Sequence, residues 1–174
     1  ALHSHHHDAL RHFHSTPITR TFVELDEPCW TDETSPGAWS AAAPPACAIR
    51  VSTTGQGGPG AVLETFAAGS TAVRLSAVSA SERSQIAIDF LGQHFPGVAG
   101  RVVSTTSKPW HCDPRAGGGY AWPEPGGMTR ARPALSQTRG RVLFAGDYLS
   151  SWNGWMEGAL ESGEATAAIL IDRL

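Results

Sequence analysis

The chain has 174 residues, 41% of them hydrophobic and 17% charged, with a formal net charge of −3 and a pI near 6.2. This composition is globular, gives no reason to expect nucleic acid as a partner, and contains no apolar run long enough to cross a bilayer. Cys29, Cys47 and Cys112 are too few and scattered for a disulfide scaffold and match no zinc spacing, so buried free thiols are expected.

Six of the eight histidines fall in residues 1–14, where Asp8 to His14 reads as a short helix before Pro17. His5, His6 and His7 are consecutive on a terminal segment and cannot all face one ion, so no metal site is expected. Thr19–Leu25, Ala46–Thr53 and Ala61–Phe66 read as strands. The Pro/Ala/Ser-rich stretch 34–45 and the glycine-rich turn Gly55–Gly60 separate them, and their hairpin-like order predicts an antiparallel sheet. Ser81 to Phe95 has a serine start, apolar residues at helical steps and Pro96-Gly97 as a stop, which predicts a helix. Residues 100–107 read as a further strand, and the Gly/Pro-rich segment Ala116–Ala131 as a loop.

Val142 to Ala145 is continuously apolar, which predicts a strand covered on both faces in a mixed or parallel sheet, with Asp147 at its C-terminal edge. From Met156 onward Ala159, Leu160, Gly163, Ala167, Leu170, Ile171 and Leu174 recur at three- and four-residue steps, predicting an amphipathic helix. Strand, acid, turn and helix in that order present a carboxylate and free helix N-terminal amides to one small volume, as a cofactor seat does. An ordinary closing unit with Asp147 as a helix cap is the competing reading. The fold class is mixed α/β in two lobes. Residues 1–107 are expected to form mostly one lobe and 108–174 a loop with the closing strand and helix.

The string Phe144-Ala-Gly-Asp147, followed by Trp152-Asn-Gly154-Trp155-Met156-Glu157-Gly158-Ala159 and Ser162-Gly163-Glu164, resembles the closing signature of the flavin-containing amine oxidases. That family includes monoamine oxidases and L-amino-acid oxidases. Upstream, Lys108-Pro-Trp110 and Gly117-Gly118-Gly119-Tyr120 are similar to the family's tryptophan and Gly-Gly-x-aromatic turn. The stretch from Thr19-Arg20 to Pro28-Cys29-Trp30 is similar to its strand and aromatic-Trp corner. By this resemblance residues 1–107 are mostly a substrate-binding lobe and 108–174 face the cofactor. The resemblance implies FAD as cofactor, and implies that it is noncovalent because the flavin-linked cysteine of monoamine oxidases is replaced by Gly119. It implies that Asp147, Gly146, Gly154, Trp155, Met156, Glu157, Trp110, Gly118 and Gly119 bind the cofactor, with Trp152 near its edge. Trp155 and Tyr120 would flank the substrate, although core packing competes as a role for each ring. No catalytic side-chain base and no metal ligand are implied.

Where many members carry a lysine near the flavin, this chain has Arg20. Arg20, or another arginine near the slot, is therefore expected to assist an acidic substrate, because guanidinium forks onto carboxylates. No Gly-x-Gly-x-x-Gly element follows a strand here, and the chain opens on alanine. The expectation is a C-terminal piece of a processed precursor, partnered by the N-terminal chains that hold the dinucleotide fingerprint, in a dimer of hetero-oligomers. Dioxygen and an L-amino acid are the implied small-molecule partners, with no membrane partner. Only Lys108 is lysine among the basic residues, which suggests a bacterial source, and the protein is expected to be secreted. A monoamine or polyamine oxidase, or a noncatalytic or metal-binding subunit, are the alternatives.

Overall fold

The computed structural model describes residues 4–30, 38–40, 44–53, 60–136 and 142–173. In chain order the elements are α1 (Ser4–Leu10), β1 (Phe13–Ser15), β2 (Ile18–Leu25), β3 (Ala38–Ser40), β4 (Ala48–Val51), β5 (Ala61–Ala68), α2 (Gly69–Ser76) and α3 (Ala80–His94). They continue with β6 (Val102–Pro109), β7 (Ala121–Pro123), α4 (Gly127–Ser136) and α5 (Met156–Ile171). Two compact units result, Pro17–Gly118 on one side and Ala1–Thr16 with Gly119–Leu174 on the other. The chain thus divides at 16/17 and 118/119 instead of at 107/108, and residues 1–16 fall with its C-terminal part.

The Pro17–Gly118 unit is an antiparallel sheet in the order β3-β4-β5-β2-β6, as the hairpin-like spacing predicts. Along β2, Thr19, Thr21, Val23 and Leu25 are buried while Arg20, Phe22 and Glu24 point to the opposite face. The first face packs Val23, Leu25, Ile49 and Leu63 against Ala87, Phe90 and Leu91 of α3, with Phe95 and Val98 closing the core. Each fully buried side chain of this size contributes about 1.5–3 kcal/mol, so this single face accounts for the cohesion of the unit. Polar groups under the helices are satisfied locally. Arg83 donates from Nε to Ser107 Oγ at 3.1 Å and from Nη1 to the Val78 carbonyl at 2.5 Å, closing the end of α2.

The helix predicted over 81–95 forms one residue earlier and is capped by Ser79, not Ser81. Ser79 Oγ accepts from Glu82 N–H at 3.2 Å, and the Glu82 carboxylate accepts from Ser79 N–H at 2.9 Å. The Ser79 N–H and the Ser79 hydroxyl, which also donates to Glu82 Oε2 at 2.8 Å, hold the Glu82 carboxyl below the usual carboxylate range. Four elements lie where the sequence suggested only connection: α2, β3 inside the stretch 34–45, and β7 with α4 across the supposed loop 116–131. Propensity missed them because Gly69, Pro133 and the short β7 carry breaker residues whose cost packing overrides. The glycine-rich turn lies largely outside the described residues, as does Arg141.

In the second unit α1 packs on α4, and β1 pairs with β7 in a ribbon that matches His14 with Trp122. Ala9, Ala131 and Leu135 form its small core, with Phe13, Phe144, Tyr148 and Leu149 against it. The N-terminal helix covers Ser4–Leu10, not 8–14, because His12 lies in the turn that leads to β1 and His14 within β1, and both contact the Glu124 carboxylate. The strand expected at Val142–Ala145 is not formed. Only Val142 makes a bridge, and among the described residues no strand runs alongside to satisfy the other backbone groups. Cys47 and Cys112 are exposed and Cys29 is partly buried, so the expected buried thiols are corrected as well.

Helix α5 forms over the predicted range but turns a different face inward. Gly158 and Ser162 are its buried residues, while Leu160, Leu170 and Ile171 are 61%, 50% and 69% exposed. Small residues win the contact because Ser162 Oγ must reach Gly146 N–H at 3.1 Å and Thr166 Oγ1 the Phe144 carbonyl at 3.1 Å. Replacing the α3 cap, Ser79→Ala, is expected to lower stability by about 1 kcal/mol. Equilibrium denaturation of both proteins checks it, and unchanged midpoints would refute the cap.

Candidate functional site

The chain between Gly146 and the start of α5 is pinned by backbone-directed hydrogen bonds. Asp147 Oδ2 accepts from Gly154 N–H at 2.7 Å, closing a seven-residue turn, so its carboxylate ties the loop and does not cap the helix. Gly154 has φ +84°, a left-handed conformation that glycine adopts without steric cost. Inside the turn Ser150 Oγ accepts from Trp152 N–H at 2.8 Å and donates to the Glu161 carboxylate of α5. Asn153 Nδ2 donates to the Ala121 carbonyl at 3.0 Å, fastening the turn to β7. A Cβ at Gly158 would come within 2.4 Å of the Trp152 carbonyl, so only glycine allows the helix this close.

The turn delivers α5 to its N-terminus without a side-chain cap. Trp155 and Met156 at that start are 69% and 86% exposed. The Tyr120 ring lies over Gly154, 3.6 Å from where a Cβ would stand, and Trp122 is the next ring along the ribbon at 6.4 Å. Burial, and then the neighbouring Asp147 charge, push the Tyr148 phenol above its usual range. Asn153 Oδ1 is buried and has no hydrogen-bond partner among the described residues. Uncapped amides, exposed aromatic surface and an unmatched acceptor suit a planar ligand whose edge carries both donors and acceptors.

A family model described as flavin containing amine oxidoreductase matches residues 2–171. The chain belongs to that family. FAD is the cofactor this membership implies, and the uncapped α5 start with the Asn153 acceptor fits the edge of a flavin ring. Among curated relatives, the L-amino acid dehydrogenase of Synechocystis sp. is 32% identical over 124 residues, which are 70% of this chain and 26% of that protein. The flavin-dependent L-tryptophan oxidase RebO of Lentzea aerocolonigenes is 30% identical over 60% of this chain and 23% of its own. Flavin-containing amine oxidase A of Sus scrofa is 37% identical over 44% of this chain and 15% of its own. This chain therefore spans about a quarter or less of these relatives' length. The solved cyclohexylamine oxidase from Brevibacterium oxydans superposes with a TM-score of 0.87 at 23% identity, over 99% of this chain and 39% of that one. Putrescine oxidase bound to putrescine gives 0.86 at 20% identity, over 98% of this chain and 38% of its own. Both share the mixed α/β fold.

Gly146, Asp147, Gly154, Trp155, Met156, Glu157, Gly119 and Tyr120 all belong to the unit that carries the turn, as does Trp152. Trp110, Gly118 and Arg20 belong to the other. There the Lys108 ammonium sits 5.3 Å from the Trp110 ring centroid and pairs with Asp113 at 2.5 Å. Hydrogen bonds from Lys108 and from the Arg115 N–H hold Asp113 below its usual range. Arg20 Nε lies 3.3 Å from Glu64 Oε1 on the neighbouring strand, so its charge already has a partner. The supporting residues Ser150, Asn153, Glu161 and Ser162 were not legible in the sequence, since only the closed turn joins positions eleven to thirty-two apart. Among the described residues no three of His, Cys, Asp or Glu converge as a metal centre.

Gly158→Ala is expected to displace the turn, costing about 1–3 kcal/mol and lowering flavin content of the assembled protein. Thermal melting and the flavin-to-protein absorbance ratio report both effects. Retention of both would show that the close approach is dispensable.

Proposed function

We propose that the chain is part of an FAD-dependent L-amino-acid oxidase, and more finely of an L-glutamate oxidase. The observation that carries the flavin-facing assignment is the uncapped start of α5, with Trp155 and Met156 exposed beside the Asp147–Gly154 turn. Three relatives at or above 30% identity whose names specify L-amino acids or L-tryptophan, and which match the greater part of this chain, support the substrate class. Bound FAD would supply the two-electron acceptor for the substrate Cα–H, so that the amino acid leaves as an imino acid, hydrolysed to a 2-oxo acid and ammonia, while dioxygen becomes hydrogen peroxide.

In this reading the Met156 N–H donates to the pyrimidine edge of the ring, where negative charge is favoured by the helix terminus. The free oxygen of Asp147 accepts from a ribityl hydroxyl, and Gly146 and Gly154 let the backbone approach. Glu157 stands in the first turn of α5, and Trp152 and Gly119 would border the cofactor, while the resemblance alone suggests Trp110 and Gly118, which belong to the other unit. Trp155 and Tyr120 form a dry slot that orients the amine and favours its neutral form. With a neutral amine no side-chain base is required.

Purified holoprotein is expected to release peroxide with L-amino acids, with L-glutamate preferred, and to ignore simple amines. Preference for simple amines would instead support the second reading, an amine oxidase, which the resemblance to amine oxidase A favours. Trp155→Ala is expected to lower turnover at least tenfold, with a smaller loss of flavin. Proportional loss of both would make the ring a packing residue.

The exposed leucine face of α5 supports a companion polypeptide carrying the dinucleotide-binding half, produced from one secreted precursor and assembled as a dimer of hetero-oligomers. Native mass spectrometry of the yellow protein is expected to show this chain with a larger partner. A flavin-loaded homo-oligomer of this chain alone would remove the idea.

A further inference from the structure

Beneath α2 and α3 the sheet is not apolar throughout. Thr65 on β5, Thr21 on β2 and Ser107 on β6 fall in one cross-strand row, and Arg83 reaches that row from α3. Arg83 is only 9% exposed, so its guanidinium is a buried charge. Its partners among the described residues are all neutral: the Ser107 hydroxyl on Nε, and the Leu75 and Val78 carbonyls on Nη1. Those carbonyls, at the end of α2, bring partial negative charge to one side of the fork only. On the other side Nη2 makes no hydrogen bond among the described residues, and neither does the buried Thr65 hydroxyl.

No carboxylate answers this charge among the described residues. Of the other ionisable side chains on α2 and α3, Arg74, Glu82, Asp89 and His94 are all exposed, with Glu82 bonded to Ser79 and Asp89 to Gln85. Glu64, beside Thr65 in the sequence, belongs to the opposite sheet face and pairs with Arg20, and Lys108 pairs with Asp113. A small cavity borders Arg83, Thr21 and Thr65 and is walled otherwise by apolar side chains such as Leu75, Ile86 and Ala87. It leaves about 10 Å³ for the centre of a water-sized guest, which is room for one such guest. What the polar groups have left to offer is protons: two on Nη2, one on Thr65, and one on Thr21, because Ser107, which accepts from Arg83, can give its own proton to Thr21. A water there would leave the guanidinium uncompensated, whereas a single negative atom accepts from all of these donors and neutralises it.

We infer that this cavity is a binding site for one small monovalent anion of the chloride class, held by Arg83 with Thr21 and Thr65. The anion completes the contact between α3 and the sheet, so the stability of the Pro17–Gly118 unit depends on halide. The site lies on the α3 side of the sheet, away from Arg20, and does not depend on which substrate the protein takes.

The test uses the complete native protein and its Thr65→Val and Arg83→Gln variants, each melted in sodium chloride and in sodium gluconate at equal ionic strength. Chloride at about 0.1 M is expected to raise the melting temperature of the parent by about 2–4 °C over gluconate. Thr65→Val removes an unpaired hydroxyl at constant shape, so it is expected to match the parent in gluconate and to lose at least about half of the chloride increment. Arg83→Gln is expected to lose all of it, and Thr65→Val decides alone if Arg83→Gln does not fold. Crystals of the parent grown in bromide are expected to show an anomalous peak beside Arg83. Equal melting of the parent in both salts overturns the inference, as does an undiminished chloride increment in Thr65→Val, or a cavity that holds only water in the bromide crystals.

Discussion

One hydrogen bond organises the entry to α5: the Asp147 carboxylate accepting from the Gly154 amide at 2.7 Å. It closes the turn, fixes glycine in a conformation other residues resist, and brings α5 in with its first amides unused. Ser150, Asn153 and Ser162 reinforce the same geometry from three directions. A charged acceptor makes the closing bond stronger than a neutral one would.

The two units are held together in different ways. In Pro17–Gly118 a covered face of Val23, Leu25, Ile49 and Leu63 provides cohesion, which frees the opposite face to hold Arg20, Arg50, Glu64 and Phe66. In the other unit the core is small, and close backbone approach at Gly158 and Ser162 replaces bulk hydrophobic packing along α5. That choice leaves Leu160, Leu170 and Ile171 of α5 outward.

Periodicity predicted the antiparallel strands, α3 and α5, because those segments obey alternation or helical spacing along most of their length. It failed where local preference and long-range pairing disagree. Val142 to Ala145 has the composition of a central strand, yet a strand exists only where neighbours complete its hydrogen bonds. β7 and α4 were hidden among glycine and proline, whose cost is met by pairing with β1 and packing on α1. The choice of inward face on α5 was misjudged because hydrophobicity ranks leucine above serine, whereas the contact distance admits only glycine and serine.

The amino-acid order by itself determined the family resemblance, the strand directions of the antiparallel sheet and the presence of a turn between an acid and a helix. These depend on composition and spacing along the chain, which survive without folding. Only the tertiary structure decided that Asp147 binds Gly154, that Glu64 engages Arg20, and that Arg50 shares the Phe66 ring. Those pairings join residues from different strands or opposite ends of a turn, and a linear sequence does not state which distant groups will meet.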